Sequence, residues 1–441
     1  MARLLGFYPY RAPFEASGKW KQMAKFNPFR PGSVISPGMF VGRFEEIQVA
    51  EHALLQTRNG NPQHFVIEGE RGIGKSSLCL WLDYLAKGDF PYDKINRLSF
   101  VVVSVELHEG MNYDDIVDVL LSELKRQIAN RQQLLESCKK AWEFLSRFQV
   151  GGVKYDRPAQ PVTDHRRLDE LTDVLVNLIE ESGGSIEGVA VLIDEADRPA
   201  SAANLGQLCK LLTERLARRR CERVCIGLFG LPGLLGKLKD SHESSLRIFN
   251  ILTLEPLEPP ERIAVIEKGL EEAARKNQFE TTISEEAKAM IANLSEGYPH
   301  FLQEFAHCAF AIDDDNNISV DDVLDGTFKE HGALNQLGKK YFADLYIDQI
   351  GSEDYRRVLI AMAESLDGWV SRQAILERSK VKEKIVDNAL HALRERKIIF
   401  LNPRVRGEYR LPTKSFAVWI RAREEQKAVE ARAAIQAAPS S

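Results

Sequence analysis

The chain predicts an α/β fold: a parallel sheet flanked by helices, with a small helical lid and a C-terminal winged helix-turn-helix. Three observations carry this. An apolar run, Phe65-Val66-Ile67, enters a glycine-rich loop and leaves it as an apolar-periodic helix (Leu78, Leu80, Trp81, Leu82, Leu85). A second apolar run from Gly188 to Ile193 ends in Asp194-Glu195. Beyond about residue 330 the rhythm changes to short helices and then a two-stranded pattern, with concentrated positive charge.

At 441 residues the chain is long enough for two to four domains and a large core. Hydrophobic content of 44% and charged content of 28% are ordinary for a globular protein, and a net charge of -5 argues against general coating of nucleic acid. The six cysteines include no C-x-x-C pair, so a reducing compartment is expected, with no disulfide framework and no zinc site. Cys221 and Cys225 read as buried thiols. No apolar run reaches membrane-spanning length and the N-terminus lacks the features of a signal peptide, so a cytoplasmic location and no membrane partner are expected.

Residues 1–38 mix aromatic, proline and basic residues without a sustained period. They read as an extended arm packed on the body, with a contact arm for nucleic acid or a partner protein as the other reading. Phe40-Val41-Gly42-Arg43 then leads a helix to about Thr57. Leu98 to Leu107 reads as a strand and Tyr113 to about Gln132 as a helix. Residues from roughly 133 to 164 look irregular and inserted, and Asp164 to Glu181 is helical again. A helix from Asn204 to about Arg219 precedes a strand, Arg223 to Phe229; Leu252 to Leu257 leads out of the sheet. Helices at Glu261 to Lys276, Ser284 to Leu294 and from Gly297 to about Ala311 form the lid.

The glycine-rich stretch is Gly69-Glu70-Arg71-Gly72-Ile73-Gly74-Lys75-Ser76-Ser77. Strand, glycine-rich loop and helix in that order are the context of a P-loop, which makes the sheet that of a P-loop NTPase. The glycines let successive N–H groups point at phosphate oxygens, and the new helix adds its positive end. All nine residues are therefore candidate nucleotide contacts. Lys75 can reach the β- and γ-phosphates, and Ser76 can ligate Mg²⁺. Asp194 can hold Mg²⁺ through its water shell, and Glu195 can orient or deprotonate the attacking water. ATP and Mg²⁺ are the expected cofactors, with Lys75 and Glu195 as catalytic residues.

From Val370 to Arg423, fourteen basic residues face five acidic ones, a net of +9, which leaves -14 on the remainder. Helices at Ala333 to Leu345, Ser352 to Glu364, Ser371 to Arg378 and Val381 to Arg396 precede paired strands at Lys397 to Asn402 and Gly407 to Leu411. That is a winged helix. Lys380, Lys382 and Lys384 would open the recognition helix, and Arg404 and Arg406 would sit on the wing, where they can meet the phosphates of double-stranded DNA. Winged helices also serve as protein-interaction modules.

Taken together, F-V-G-R at Phe40 to Arg43, G-E-R-G-I-G-K-S at Gly69 to Ser76 and V-L-I-D-E at Val191 to Glu195 resemble the AAA+ and STAND group of P-loop ATPases, in particular those with an origin-recognition-complex-like AAA module. The resemblance covers about residues 39–425. The chain as read divides into an arm at 1–38, an ATPase core at 39–257, a lid at 258–328, a winged helix at 329–425 and a tail at 426–441. By the same resemblance Val41, Gly42 and Arg43 would wall the adenine, and Arg247 would reach a neighbouring subunit's γ-phosphate as a catalytic residue in a homo-oligomer; a surface ion pair is the other reading of Arg247. Two departures stand out. The strand before Gly230 lacks a clear polar γ-phosphate sensor, and His300 occupies the lid position where many relatives have an arginine. Pro299 matches the Gly-x-Pro segment of STAND relatives, and His300 would contact nucleotide or cap its helix. The departures suggest a slow ATPase acting as a nucleotide-dependent switch, DNA-associated through its winged helix, or a STAND-like signalling or defence NTPase that recruits a separate effector protein.

Overall fold

The computed structural model describes residues 25–35, 37–92, 96–146, 166–365 and 368–437. Five parallel strands form the main sheet: β1 (His64–Gly69), β2 (Phe100–Glu106), β3 (Gly188–Asp194), β4 (Val224–Gly230) and β5 (Phe249–Leu254), in the order β2-β3-β4-β1-β5. The first four are almost continuously apolar because helices cover both faces. Successive residues alternate between the two cores. Val66, Val101, Val103, Val191 and Leu228 pack on one side, against α3 (Tyr113–Ala129), α6 (Arg166–Glu181) and α7 (Leu205–Arg218). Phe65, Ile67, Phe100, Val102 and Leu192 pack on the other, against α1 (Phe44–Arg58) and α2 (Lys75–Lys87).

Two sequence expectations change here. Residues 132–146 are not irregular: α4 (Gln132–Ser137) and α5 (Lys139–Ser146) bury Leu134, Cys138, Ala141 and Leu145 in the same core as α3 and α6. Each helix is short, so neither sustains a readable period. The rest of the expected insertion, and the arm before residue 25, lie outside the described residues. The edge strand β5 is also new. Its Asn250, Ile251 and Thr253 are exposed, so it lacks the buried apolar run that marks its neighbours.

After α8 (Leu234–Ser241) and β5, the lid comprises α9 (Pro259–Asn277), α10 (Glu285–Leu294), α11 (Pro299–Ile312) and α12 (Val320–Phe328). The C-terminal segment follows: α13 (Ala333–Leu337) continuing through π-helical turns to Asp348, α14 (Glu353–Ala363), α15 (Arg372–Ser379), α16 (Glu383–Glu395) and α17 (Lys414–Ala437). Its small antiparallel sheet pairs Glu408–Arg410 with both Val370–Ser371 and Phe400–Leu401. Lid and C-terminal segment share one hydrophobic core, running from Leu257 and Phe301 to Phe416 and Ile420. Phe342 bridges its two parts, with ring centroids 5.8 Å from Phe301 and 5.2 Å from Phe416. Gly338 permits this. A Cβ there would lie 2.0 Å from the Trp419 indole nitrogen. Residues 25–35 pack along the lid: Phe29 is buried against Phe310 and Gly269, and Lys25 pairs with Asp313.

All six cysteines are unpaired thiols, and Cys221 and Cys225 are buried. Among the described residues no helix is long and apolar enough to cross a membrane.

The start of β1 carries a titration that should be measurable. His64 is buried, and its Nδ1 accepts the Ile226 N–H at 3.1 Å, so the neutral ring is the bonded form. Burial pushes its pKa down to about 4. The unfolded imidazole therefore binds a proton more readily than the folded one. The stabilisation is complete above about pH 6.5 and is lost as pH falls from there to about 4, on the order of 3 kcal/mol in all. Thermal melts of wild type and His64→Gln should differ by less at pH 5 than at pH 7.5; an unchanged difference would refute the assignment.

Candidate active site

The loop between β1 and α2 has left-handed backbone at Gly72 (φ 80°) and Gly74 (φ 104°), which only glycine adopts without strain. This curl brings the loop carbonyls over the first residue of α2. Lys75 is buried there, and its Nζ donates to the carbonyls of Gly69 and Glu70, both at 2.9 Å. Burial lowers its pKa, opposed by the carboxylates of Asp194, Glu195, Asp197 and Glu70.

Asp194 ends β3. Burial raises its pKa, while hydrogen bonds from the Ser76 hydroxyl and the Glu195 N–H (2.9 Å) oppose the rise. Glu195 adopts a left-handed backbone (φ 52°) and accepts a hydrogen bond from Arg198 Nε at 2.8 Å. A third carboxylate completes the group. Asp197 accepts the Leu231 N–H at 2.8 Å, and its Oδ1 lies 2.8 Å from where a Cβ on Gly230 would stand. Any side chain at the end of β4 would therefore collide with Asp197, which accounts for the missing polar residue on that strand. The repeated acid in Asp194-Glu195-Ala196-Asp197 is the signal that sequence reasoning passed over.

These groups open on a cleft of about 700 Å³. Core, lid, arm and C-terminal segment all reach it. Arg30 to Ile35 form one wall, tied by Arg30 N–H to Gln303 Oε1 (2.8 Å) and Ile35 N–H to Ser77 Oγ (3.3 Å). The lid contributes Pro299, His300 and Gln303, and the C-terminal segment contributes Lys340 and Tyr341. Six cationic side chains line the cleft against three carboxylates, a balance suited to a polyphosphate. The arm residues, Lys237, Lys340 and Tyr341 were not anticipated. They are distant in sequence and belong to no local motif, so only the packing brings them in.

The residues read from sequence fall into distinct places. Arg71, Gly72, Gly74, Lys75, Ser76, Ser77, Glu195 and His300 line the cleft. Glu70 turns its carboxylate to the Tyr298 hydroxyl, 2.7 Å away, and the Ile73 side chain is buried in the core. Val41, Gly42 and Arg43 are not among the cleft-lining residues. Arg43 is buried behind the loop, where Nη2 donates to the Ile73 carbonyl at 3.0 Å and Nη1 pairs with Glu46 at 3.2 Å. It braces the glycine loop from outside the cleft. His300 donates its N–H to the Gly72 carbonyl at 3.3 Å. Its ring is pushed to a pKa of about 4 by burial, with Lys340 and Arg71 adding to the effect, so it is neutral at pH 7. Arg247 lies outside the cleft on the turn Ser245–Ile248, exposed and without a side-chain partner among the described residues.

Lys380, Lys382, Lys384, Arg404 and Arg406 are exposed, around the start of α16 and on the tip between the last two strands. Arg372 is spent internally, bonded to Glu383 and Asp387 of α16. It therefore offers less to a partner than its charge suggests, but it also neutralises two acids on that helix.

The brace at Arg43 yields a direct test. Arg43→Met would leave the buried Ile73 carbonyl without its donor, a cost of about 1–3 kcal/mol. The variant should melt measurably lower with no ligand added. An arginine whose role was ligand contact would leave that melt unchanged.

Comparison with known proteins bears on the fold. Residues 39–221 match the model of the AAA ATPase domain. The Aeropyrum pernix ORC2 protein, in a structure of its ADPNP–ADP complexes, superposes with a TM-score of 0.54 at 15% identity, covering 91% of this chain and 99% of that one. Its ADP form gives 0.50 at 17% identity, covering 90% and 97%. An uncharacterized HTH-type transcriptional regulator of Methanocaldococcus jannaschii is 26% identical over 288 residues, which is 64% of this chain and 66%, just under two thirds, of that protein. Residues 39–221 are thus similar to the AAA ATPase domain, and the chain shares the fold of the Aeropyrum pernix ORC2 protein.

Proposed function

We propose that the chain is a slow, Mg²⁺-dependent ATPase that acts as a nucleotide-controlled switch and binds double-stranded DNA through its C-terminal winged helix. The observation that carries this is the shared cleft: glycine loop, Glu195, Asp197, lid and C-terminal segment all border one cation-rich space, with Asp194 just behind it at the end of β3. In this reading Lys75 stabilises the transferring charge, and Ser76 with Asp194 holds Mg²⁺. Ser76 would ligate the ion and Asp194 would hold it through its water shell. Glu195 positions the attacking water once Arg198 releases it. The partner-free Arg247 would act on the site of a second copy, which makes a homo-oligomer the active form. The working units are the arm to about residue 38, the core to 257, the lid to 328 and the winged helix to 425.

DNA association draws support from the five exposed cations around the start of α16 and on the wing, and from the description of the Methanocaldococcus relative as an HTH-type regulator. A second reading, a signalling ATPase that recruits a separate effector protein, is favoured by Pro299, which lines the cleft 3.8 Å from where a Cβ on Gly74 would stand.

Steady-state ATP hydrolysis by wild type and Glu195→Gln, with and without duplex DNA at low salt, tests both. The DNA switch predicts turnover that DNA stimulates and that Glu195→Gln reduces at least 100-fold, on the order expected for loss of a general base. Turnover indifferent to DNA would transfer the case to the effector reading. For the DNA surface, the logarithm of wild-type affinity should fall linearly with log salt. Replacing Lys382 and Lys384 by alanine should reduce the slope by about 2, one per lost phosphate contact. An unchanged slope would remove α16 from the interface.

A further inference from the structure

Lys340 belongs to the C-terminal segment, yet it stands in the cleft beside the glycine loop. The π-helical turn Gly338–Phe342 places it there together with Tyr341. The Tyr341 hydroxyl lies 3.4 Å from where a Cβ on Gly72 would be, and the Arg71 guanidinium sits 5.8 Å from the Tyr341 ring centroid. The turn thus rests directly against the part of the loop that would cradle phosphate.

The charge around Lys340 is unbalanced toward the cleft. Its Nζ donates to Glu304 Oε2 at 2.7 Å. The Glu304 side chain is 3% exposed, whereas that of Lys340 is 38% exposed. Glu304 also faces His300 Nε2 at 3.7 Å, but that nitrogen is buried without a hydrogen-bond partner and the ring is neutral at pH 7, so it does not share the charge. An ammonium has three donors, and Glu304 engages Lys340 from one side only. The others are left for a ligand in the cleft.

We propose that Lys340 is a phosphate-binding residue of the nucleotide site, delivered by the C-terminal segment, and that Glu304 holds it in competition with the phosphates of the bound nucleotide. This rests on the ATP reading above. Nucleotide would draw the lysine, and with it the turn that carries Phe342, toward the glycine loop. Because the Phe342 ring packs on Phe301 of the lid and on Phe416 and Trp419 of α17, occupancy of the cleft would be felt in the core shared by lid and winged helix.

The competition gives the two residues effects of opposite sign, which damage to the fold would not produce. Binding of ADP and of a non-hydrolysable ATP analogue, with Mg²⁺, would be measured by titration calorimetry on the full chain. Lys340→Gln should weaken binding about tenfold, the scale of one charge-assisted hydrogen bond. Lys340→Arg should retain most of it. Glu304→Gln should tighten binding severalfold, and the gain should vanish in the double variant Glu304→Gln, Lys340→Gln. Hydrogen exchange of residues 338–348 should slow on adding nucleotide to wild type, but not to Lys340→Gln at saturating nucleotide. Wild-type affinity in Lys340→Gln, or weaker binding in Glu304→Gln, would overturn the inference while leaving the ATP reading intact. No binding by wild type at all, matched by Lys75→Ala, would overturn the ATP reading and this inference with it.

Discussion

The buried ammonium of Lys75 is the constraint around which the core is arranged. A lysine withdrawn from water costs several kcal/mol unless hydrogen bonds and opposing charge compensate it. Here two loop carbonyls supply the bonds and the acids beyond β3 supply the charge. Both requirements reach far into the fold. The carbonyls converge only because Gly72 and Gly74 take left-handed backbone. The acids come from β3, which is separated from β1 by β4, so they meet the loop only across the end of β4. That crossing needs an empty position, which Gly230 provides for Asp197. Arg43 then fixes the outer side of the same loop through the Ile73 carbonyl.

The second constraint is mechanical. Lid and C-terminal segment are not separate bodies in contact; their apolar residues form one core. The turn before α11 is tied to the start of α17 as well. Glu296 accepts the Lys414 N–H at 2.5 Å, and the Ser415 hydroxyl donates to the Leu294 carbonyl at 2.7 Å. The same turn reaches the glycine loop through Tyr298 and Glu70, and through His300 N–H and the Gly72 carbonyl. A close-packed interior transmits displacement instead of absorbing it. A shift at the loop is therefore felt at α17 and the small sheet packed with it.

Much of this was legible in the sequence where local chemistry forces the outcome. The glycine loop, the four buried strands and the helices with a sustained apolar period follow from residue spacing alone. β5 was not legible because an edge strand with exposed Asn250 and Thr253 has no reason to look like its buried neighbours. Nor were α4 and α5, each too short to display a helical period. The cleft was legible on one side only. Lys75, Ser76 and Glu195 announce themselves by motif, whereas Arg30, Lys340 and Tyr341 arrive by tertiary packing from either end of the chain. Arg43 shows what a motif leaves out: its place behind the loop, bonded to the Ile73 carbonyl, depends on where α1 packs and not on its neighbours in sequence.

The lid position shows how a changed residue changes the kind of work a site can do. An arginine there would keep its charge in any surroundings and could pull the lid onto phosphate electrostatically. His300 is neutral at pH 7, because burial and the neighbouring Lys340 and Arg71 all disfavour its cationic form. A neutral ring offers packing and one hydrogen bond. It packs on Tyr341, with centroids 4.9 Å apart, and its backbone holds Gly72. The positive charge of this region therefore resides one layer further out, on Lys340, in a different part of the chain. Lys340 is held there by Glu304 of α11, so the cation that faces the cleft is shared between the C-terminal segment that carries it and the lid that pairs with it.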